Sequence, residues 1–213
     1  MKKKLFIGVY NPSIILTYIS VFCSIVGIAH LMKSETLISF DYMRLAIPLL
    51  IVAGVCDMFD GTVARMCKRT DAEKHFGVEI DSLADTVSFV VFPTVLFLNT
   101  IENSTNILAL IIASAYVLAG IIRLGWFNVH TANTETKSDT YTGLPVTSAA
   151  IIVPVVCLIG TLLNLNDTIY YIMMAMIAFL FVLNFKLKKL NKAMYAILVI
   201  LAIIAIIGIF VAL

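Results

Sequence analysis

Residues 56–89 read CDMFDGTVARMCKRTDAEKHFGVEIDSLADTVSF, and within them Asp57, Asp60, Asp81 and Asp85 stand at the facing ends of two otherwise apolar segments. An aspartate at the centre of a membrane helix disfavours insertion by about 2.5–3.5 kcal/mol. Ionisable residues in such a place therefore mark a functional site by default. At about 100° per residue, Asp57, Asp60, Gly61 and Ala64 share one helical face, and Gly77, Asp81 and Asp85 share another. If the short segment 66–76 joins the two as antiparallel neighbours, the carboxylates converge at one membrane surface. Four like charges at close range repel, and a divalent cation relieves that repulsion. An all-oxygen ligand set suits Mg2+, Mn2+ or Ca2+.

Working outward, the 213 residues are 61% hydrophobic and 13% charged, with a mean hydropathy of +1.03. Such a chain is an integral membrane protein and not a soluble domain. Its partners are expected among lipids and not nucleic acid. A bilayer core of about 30 Å takes roughly 20 helical residues, and that ruler gives seven spans, near 13–32, 42–65, 77–99, 106–127, 144–163, 169–185 and 193–213. The expected fold is all-α, a polytopic membrane helical bundle. Residues 1–12 read as an interfacial segment, with Lys2, Lys3 and Lys4 among headgroups. Residues 13–189 read as one membrane domain and 190–213 as an additional C-terminal helix. Cys23, Cys56, Cys67 and Cys157 lie mostly in apolar runs, show no CxxC or Cys/His pairing, and read as small buried hydrophobes.

With the N-terminus in the cytoplasm, 13 of the 15 Lys and Arg fall inside and only Lys33 and Arg44 outside. The positive-inside rule selects that orientation. It makes the chain a multi-pass cell-membrane protein with all four aspartates on the cytoplasmic side.

Gly61 and Gly77 have no side chain to hold a bulky ligand away from the helix backbone. Arg65, one turn from the carboxylates, suits a phosphate or diphosphate. A metal held by carboxylates together with substrate phosphates is the usual magnesium arrangement. The site reads as built for a metal-bridged diphosphate at headgroup level.

The pattern Asp57-x2-Asp60-Gly61-x2-Ala64-Arg65, followed by Gly77-x3-Asp81-x3-Asp85, resembles the signature of the CDP-alcohol phosphotransferases. Eight fixed positions make that resemblance specific, although the eleven residues between Arg65 and Gly77 exceed the gap in many members. The resemblance implies a six-helix membrane core, usually homodimeric, that moves a phosphatidyl group from a CDP-activated lipid onto an alcohol and releases CMP. It implies two divalent cations, Mg2+ or Mn2+, ligated by Asp57, Asp60 and Asp81, with Asp85 beside them as the general base. Asp57, Asp60, Gly61, Ala64, Arg65 and Gly77 would bind the CDP-lipid.

Three further stretches, EIDSLAD from Glu79, RLGWFNV from Arg123 and GLP from Gly143, are similar to those of the phosphatidylserine synthase branch, which uses CDP-diacylglycerol and L-serine. That branch commonly has Ser-Phe-Gly where this chain has Ser88, Phe89 and Val90, and Pro-Asn where it has Asn11-Pro12. Serine needs a cation for its carboxylate. Arg123 is the candidate for that carboxylate or for a lipid phosphate, with Ser82 and Asn128 as polar partners; an arginine so placed also snorkels to the interface in many membrane proteins. Glycerol 3-phosphate, inositol and inositol phosphate are the competing acceptors. Carboxylates in a helical bundle also mark cation channels and transporters, but a conduction path spreads its polar residues through the bilayer, whereas these cluster on one side.

Overall fold

The computed structural model describes residues 7–32, 41–132 and 140–188. Seven α-helices dominate: α1 (Ile15–Met32), α2 (Asp41–Met66), α3 (Asp71–Asp85), α4 (Phe92–Thr100), α5 (Ile107–Ala132), α6 (Ala149–Leu162) and α7 (Thr168–Val182). A π-helical segment, Thr86–Val91, joins α3 to α4 without a break, so the two form one rod. The chain is an all-α membrane bundle. Among the described residues, four helical units are long and apolar enough to cross a bilayer: Pro12–Met32, Arg44–Met66, Asp71–Thr100 and Ile107–His130. Val146–Leu162 and Thr168–Val182 are apolar but shorter. The expected span at 193–213 lies outside the described residues.

Helix starts follow local chemistry. The Asn11 side chain accepts the Ser13 N–H at 3.0 Å and the Ser13 hydroxyl, and Pro12 occupies the first turn ahead of α1. Proline is tolerated there because its missing N–H would have had no helical partner. Thr70 and Glu73 form a reciprocal capping box at the start of α3. That box begins the helix at Asp71, six residues ahead of the expected span, and shrinks the expected 66–76 connection to residues 67–70.

The bundle is patterned inside out. On α1 and the turn ahead of it the buried positions are Ser13, Ile14, Thr17, Ser20, Cys23, Ser24, Gly27 and Leu31, whereas Ile15, Ile19, Phe22 and Ile25 face outward. Lipid tails are as apolar as leucine, so membrane helices bury small and hydroxyl-bearing residues and turn their aliphatic faces to the bilayer. Close packing follows. A Cβ on Gly27 would lie 2.2 Å from the Phe92 ring, and one on Gly120 would lie 2.6 Å from Val90. The core gathers Leu31, Ile47, Leu50, Phe89, Phe92, Leu96, Tyr116 and Phe181 around the α3–α4 rod.

A two-stranded antiparallel ribbon was not expected from the sequence. Strand β1 (Thr140–Thr142) pairs with β2 (Lys186–Lys188), Thr142 opposite Lys186. Gly143, at φ +71°, turns the chain out of β1, and its N–H reaches the Phe185 carbonyl at 2.7 Å. The connection into α6 is thereby fastened to the end of α7.

Candidate active site

α2 ends and α3 begins at the same end of the bundle, so their carboxylates face each other. One oxygen each from Asp57, Asp81 and Asp85 lies within 4.8 Å of the other two, and all three residues are half-buried. The Asp57 side chain lies beside that of Asp85, and the Asp60 side chain beside that of Asp81. The quartet is thus two cross-helix pairs, and Asp60 sits beside the three-oxygen cluster. Carboxyl oxygens of this number and hardness fit a divalent cation of the magnesium or manganese kind.

The cluster is set back from the turn between the two helices. Asp57 lies nine residues from the end of α2 and Asp85 fourteen from the start of α3, about 14 Å and about 21 Å along the helices at 1.5 Å per residue. The intervening tip carries exposed Arg65, Lys68, Asp71 and Lys74, with Lys74 Nζ paired to Asp71 at 2.8 Å. The carboxylates line a polar hairpin, two to four turns below its tip.

The glycines here differ from those of the core. A Cβ on Gly61 would meet only Arg65 Nη1 at 3.6 Å, and one on Gly77 only Arg69 Nη1 at 3.5 Å, both ordinary contacts. Protein packing does not require glycine at either position, and the space beside each is open to a ligand. Ala64 continues the α2 face. Arg65 stands exposed, its Nη2 donating to the Thr62 hydroxyl at 3.0 Å.

The three candidates for acceptor binding separate. Ser82 on α3 and Asn128 on α5 come together, Asn128 Nδ2 donating to Ser82 Oγ at 2.9 Å. Arg123 turns elsewhere: its Nε donates to the Leu144 carbonyl at 3.2 Å, and its guanidinium lies 5.3 Å over the Phe127 ring. Its residue exposure is only 6%, so it does not snorkel to the headgroups.

Two contacts escaped the sequence reading. Buried Thr17 donates from Oγ1 to Asp60 Oδ2 at 3.3 Å, and Asn11 Nδ2 reaches Glu73 Oε1 at 3.4 Å. The recurrence of hydroxyl residues at 13, 17, 20 and 24 was the available signal, since that spacing marks one helical face.

A membrane bundle with paired carboxylates on adjacent helices, open space beside two glycines and an arginine one turn away has the donors to hold a cation together with a phosphate. The family model for CDP-alcohol phosphatidyltransferase matches residues 10–183, and the chain belongs to that family. The chain is 32% identical over 111 residues to the CDP-diacylglycerol--serine O-phosphatidyltransferase of Helicobacter pylori (strain J99), covering 52% of this chain and 44% of the relative. It is 36% identical over 116 residues to the archaetidylserine synthase of Methanothermobacter thermautotrophicus, covering 54% and 47%. The enzyme of Bacillus subtilis named as in H. pylori is 32% identical over 99 residues, 46% and 52%. The matches thus span about half the length of these curated relatives.

Proposed function

We propose that the chain transfers a phosphatidyl group from CDP-diacylglycerol to L-serine, giving phosphatidylserine and CMP. The observation that carries this reading is the convergence of the Asp57, Asp81 and Asp85 oxygens within 4.8 Å beside two glycines that packing does not require. Serine is favoured over other acceptors because the relatives, bacterial and archaeal alike, are named for it.

In this reading Asp57, Asp60 and Asp81, with Asp85 alongside, hold two divalent cations, Mg2+ or Mn2+. Bound there, the cations neutralise the diphosphate and the departing CMP. Gly61, Ala64 and Gly77 admit the cytidine diphosphate close to the helix backbones, and Arg65 swings from Thr62 to a phosphate oxygen. Asp85 accepts the proton from the serine hydroxyl as its oxygen bonds to the phosphatidyl phosphorus and the bond from that phosphorus to CMP breaks. A carboxylate is too weak a base to deprotonate a free alcohol, so proton transfer accompanies bond formation. Ser82 and Asn128 line the acceptor side. Arg123 serves the serine carboxylate with the guanidinium nitrogens that do not face Leu144. Residues 13–189 form the transferase domain, as a homodimer, with N-terminus and site on the cytoplasmic face.

The test is CMP release from CDP-diacylglycerol by the purified full chain with Mn2+ or Mg2+, across L-serine, glycerol 3-phosphate, inositol and inositol phosphate. Serine alone is expected to support release. Release with glycerol 3-phosphate alone reassigns the acceptor, and no release with any alcohol refutes the transferase.

A further inference from the structure

Between Asp85 and the rest of its rod the backbone changes period. Across Thr86–Val91 the helix is π, and the Phe92 N–H bonds the Val87 carbonyl, five residues back. The sequence supplies a cause. Pro93 has no N–H for the Phe89 carbonyl four residues earlier, and its ring presses on that carbonyl. A buried carbonyl left in that state needs another donor. The Tyr116 hydroxyl of α5 provides it, donating to Phe89 O at 2.8 Å from a fully buried ring.

A second clamp acts from α1. Ser24 Oγ lies 2.8 Å from Ser88 Oγ and Ser20 Oγ lies 3.0 Å from it, with all three side chains buried. Gly120 receives Val90, and Gly27 receives Phe92. The π segment is therefore gripped from two helices while the Asp81 and Asp85 face hangs from its near end.

The extra residue has a measurable effect on phase. Leu83 is 64% exposed, and two α-helical turns later Val90 would face outward; instead Val90 is 0% exposed and Val91 is 37% exposed. One residue of slip is about 100° of rotation. An uninterrupted α-helix anchored at Phe92–Thr100 would present the carboxylates of Asp81 and Asp85 away from α2.

We propose that Tyr116 and Ser88 are positioning residues, which hold the π-helical segment and thereby set the rotation that turns Asp81 and Asp85 toward Asp57. The catalytic part of this inference rests on the proposed transferase; the geometric part does not. Both are tested in the full chain.

In a background with Cys23, Cys56, Cys67 and Cys157 replaced by alanine, the pair Asp57→Cys and Asp85→Cys reports the geometry as the rate of oxidative cross-linking. Tyr116→Phe, Ser88→Ala and Pro93→Ala are each expected to slow it about tenfold, and Thr100→Val, which removes an intrahelical hydroxyl bond at the far end of α4, is expected to leave it within about twofold. Pro93→Ala is the incisive case, because it returns an N–H to the Phe89 carbonyl and a merely structural role would leave cross-linking unchanged. In the chain with native aspartates, Tyr116→Phe should lower kcat about tenfold with the KM for CDP-diacylglycerol within about twofold. Cross-linking within about twofold of the parent in Tyr116→Phe and Ser88→Ala, whatever their thermal stability, overturns the proposal. If the unmutated chain releases no CMP, the transferase reading fails while cross-linking still decides the inference.

Discussion

The two ends of the bundle treat acidic side chains and glycines in opposite ways. At the end away from the α2–α3 turn, Asp167 accepts the Glu102 backbone N–H at 2.8 Å, joining two loops. Gly160 is there to seat the Tyr170 ring, whose hydroxyl would lie 2.4 Å from an added Cβ. At the other end Asp57, Asp60, Asp81 and Asp85 face chiefly one another, with the Thr17 hydroxyl on Asp60, and Gly61 and Gly77 meet only the ends of Arg65 and Arg69. A structural aspartate brings its donor with it, and a structural glycine is filled. A site that must receive a ligand leaves most of its carboxylate oxygens, and the space beside its glycines, to that ligand.

Mutation tests that contrast. The largest effect is expected from Asp85→Asn, which keeps the shape and removes the base: serine-dependent CMP release should fall about 10²–10⁴-fold, with CDP-lipid retained in equilibrium binding. Loss of binding instead would make Asp85 chiefly a ligand for the cation. Gly61→Leu should raise the KM for CDP-diacylglycerol with thermal stability little changed, whereas Gly160→Ala should destabilise by about 1–3 kcal/mol in denaturation with that KM unaltered. The reverse pattern would erase the distinction between open and filled glycines. Thr17→Val removes the hydroxyl that orients Asp60 and should weaken the Mn2+ dependence of activity about tenfold, read as the metal concentration giving half-maximal rate. Asp167→Asn is expected to do least, about 1 kcal/mol of stability with no change in kcat.

Much of this was legible in the sequence, for reasons that differ residue by residue. The aspartates were readable because carboxylates in apolar helices are rare and their spacing of three and four keeps them on one face. The start of α3 was missed because the hydropathy ruler stops at charged residues, although Thr70 and Glu73 spelled a capping box. The π segment was hidden in the apolar run TVSFVV, where a slip of one residue changes no hydropathy; only Pro93 pointed to it. The ribbon was beyond reach, since its partners are three residues long and over forty apart. Arg123 was placed on the correct helix, but its preference for the Leu144 carbonyl depends on the turn at Gly143.

The hydroxyl stripe of α1 also bears on how the protein is made. During synthesis α1 emerges before the rod that carries Ser88, so for a time its serines have no cross-helix partner. Ser24 already donates to the Ser20 carbonyl of its own helix at 2.8 Å, a local bond that needs no later segment. Part of the polar load of α1 is therefore satisfied within the helix itself, whatever comes to pack against it.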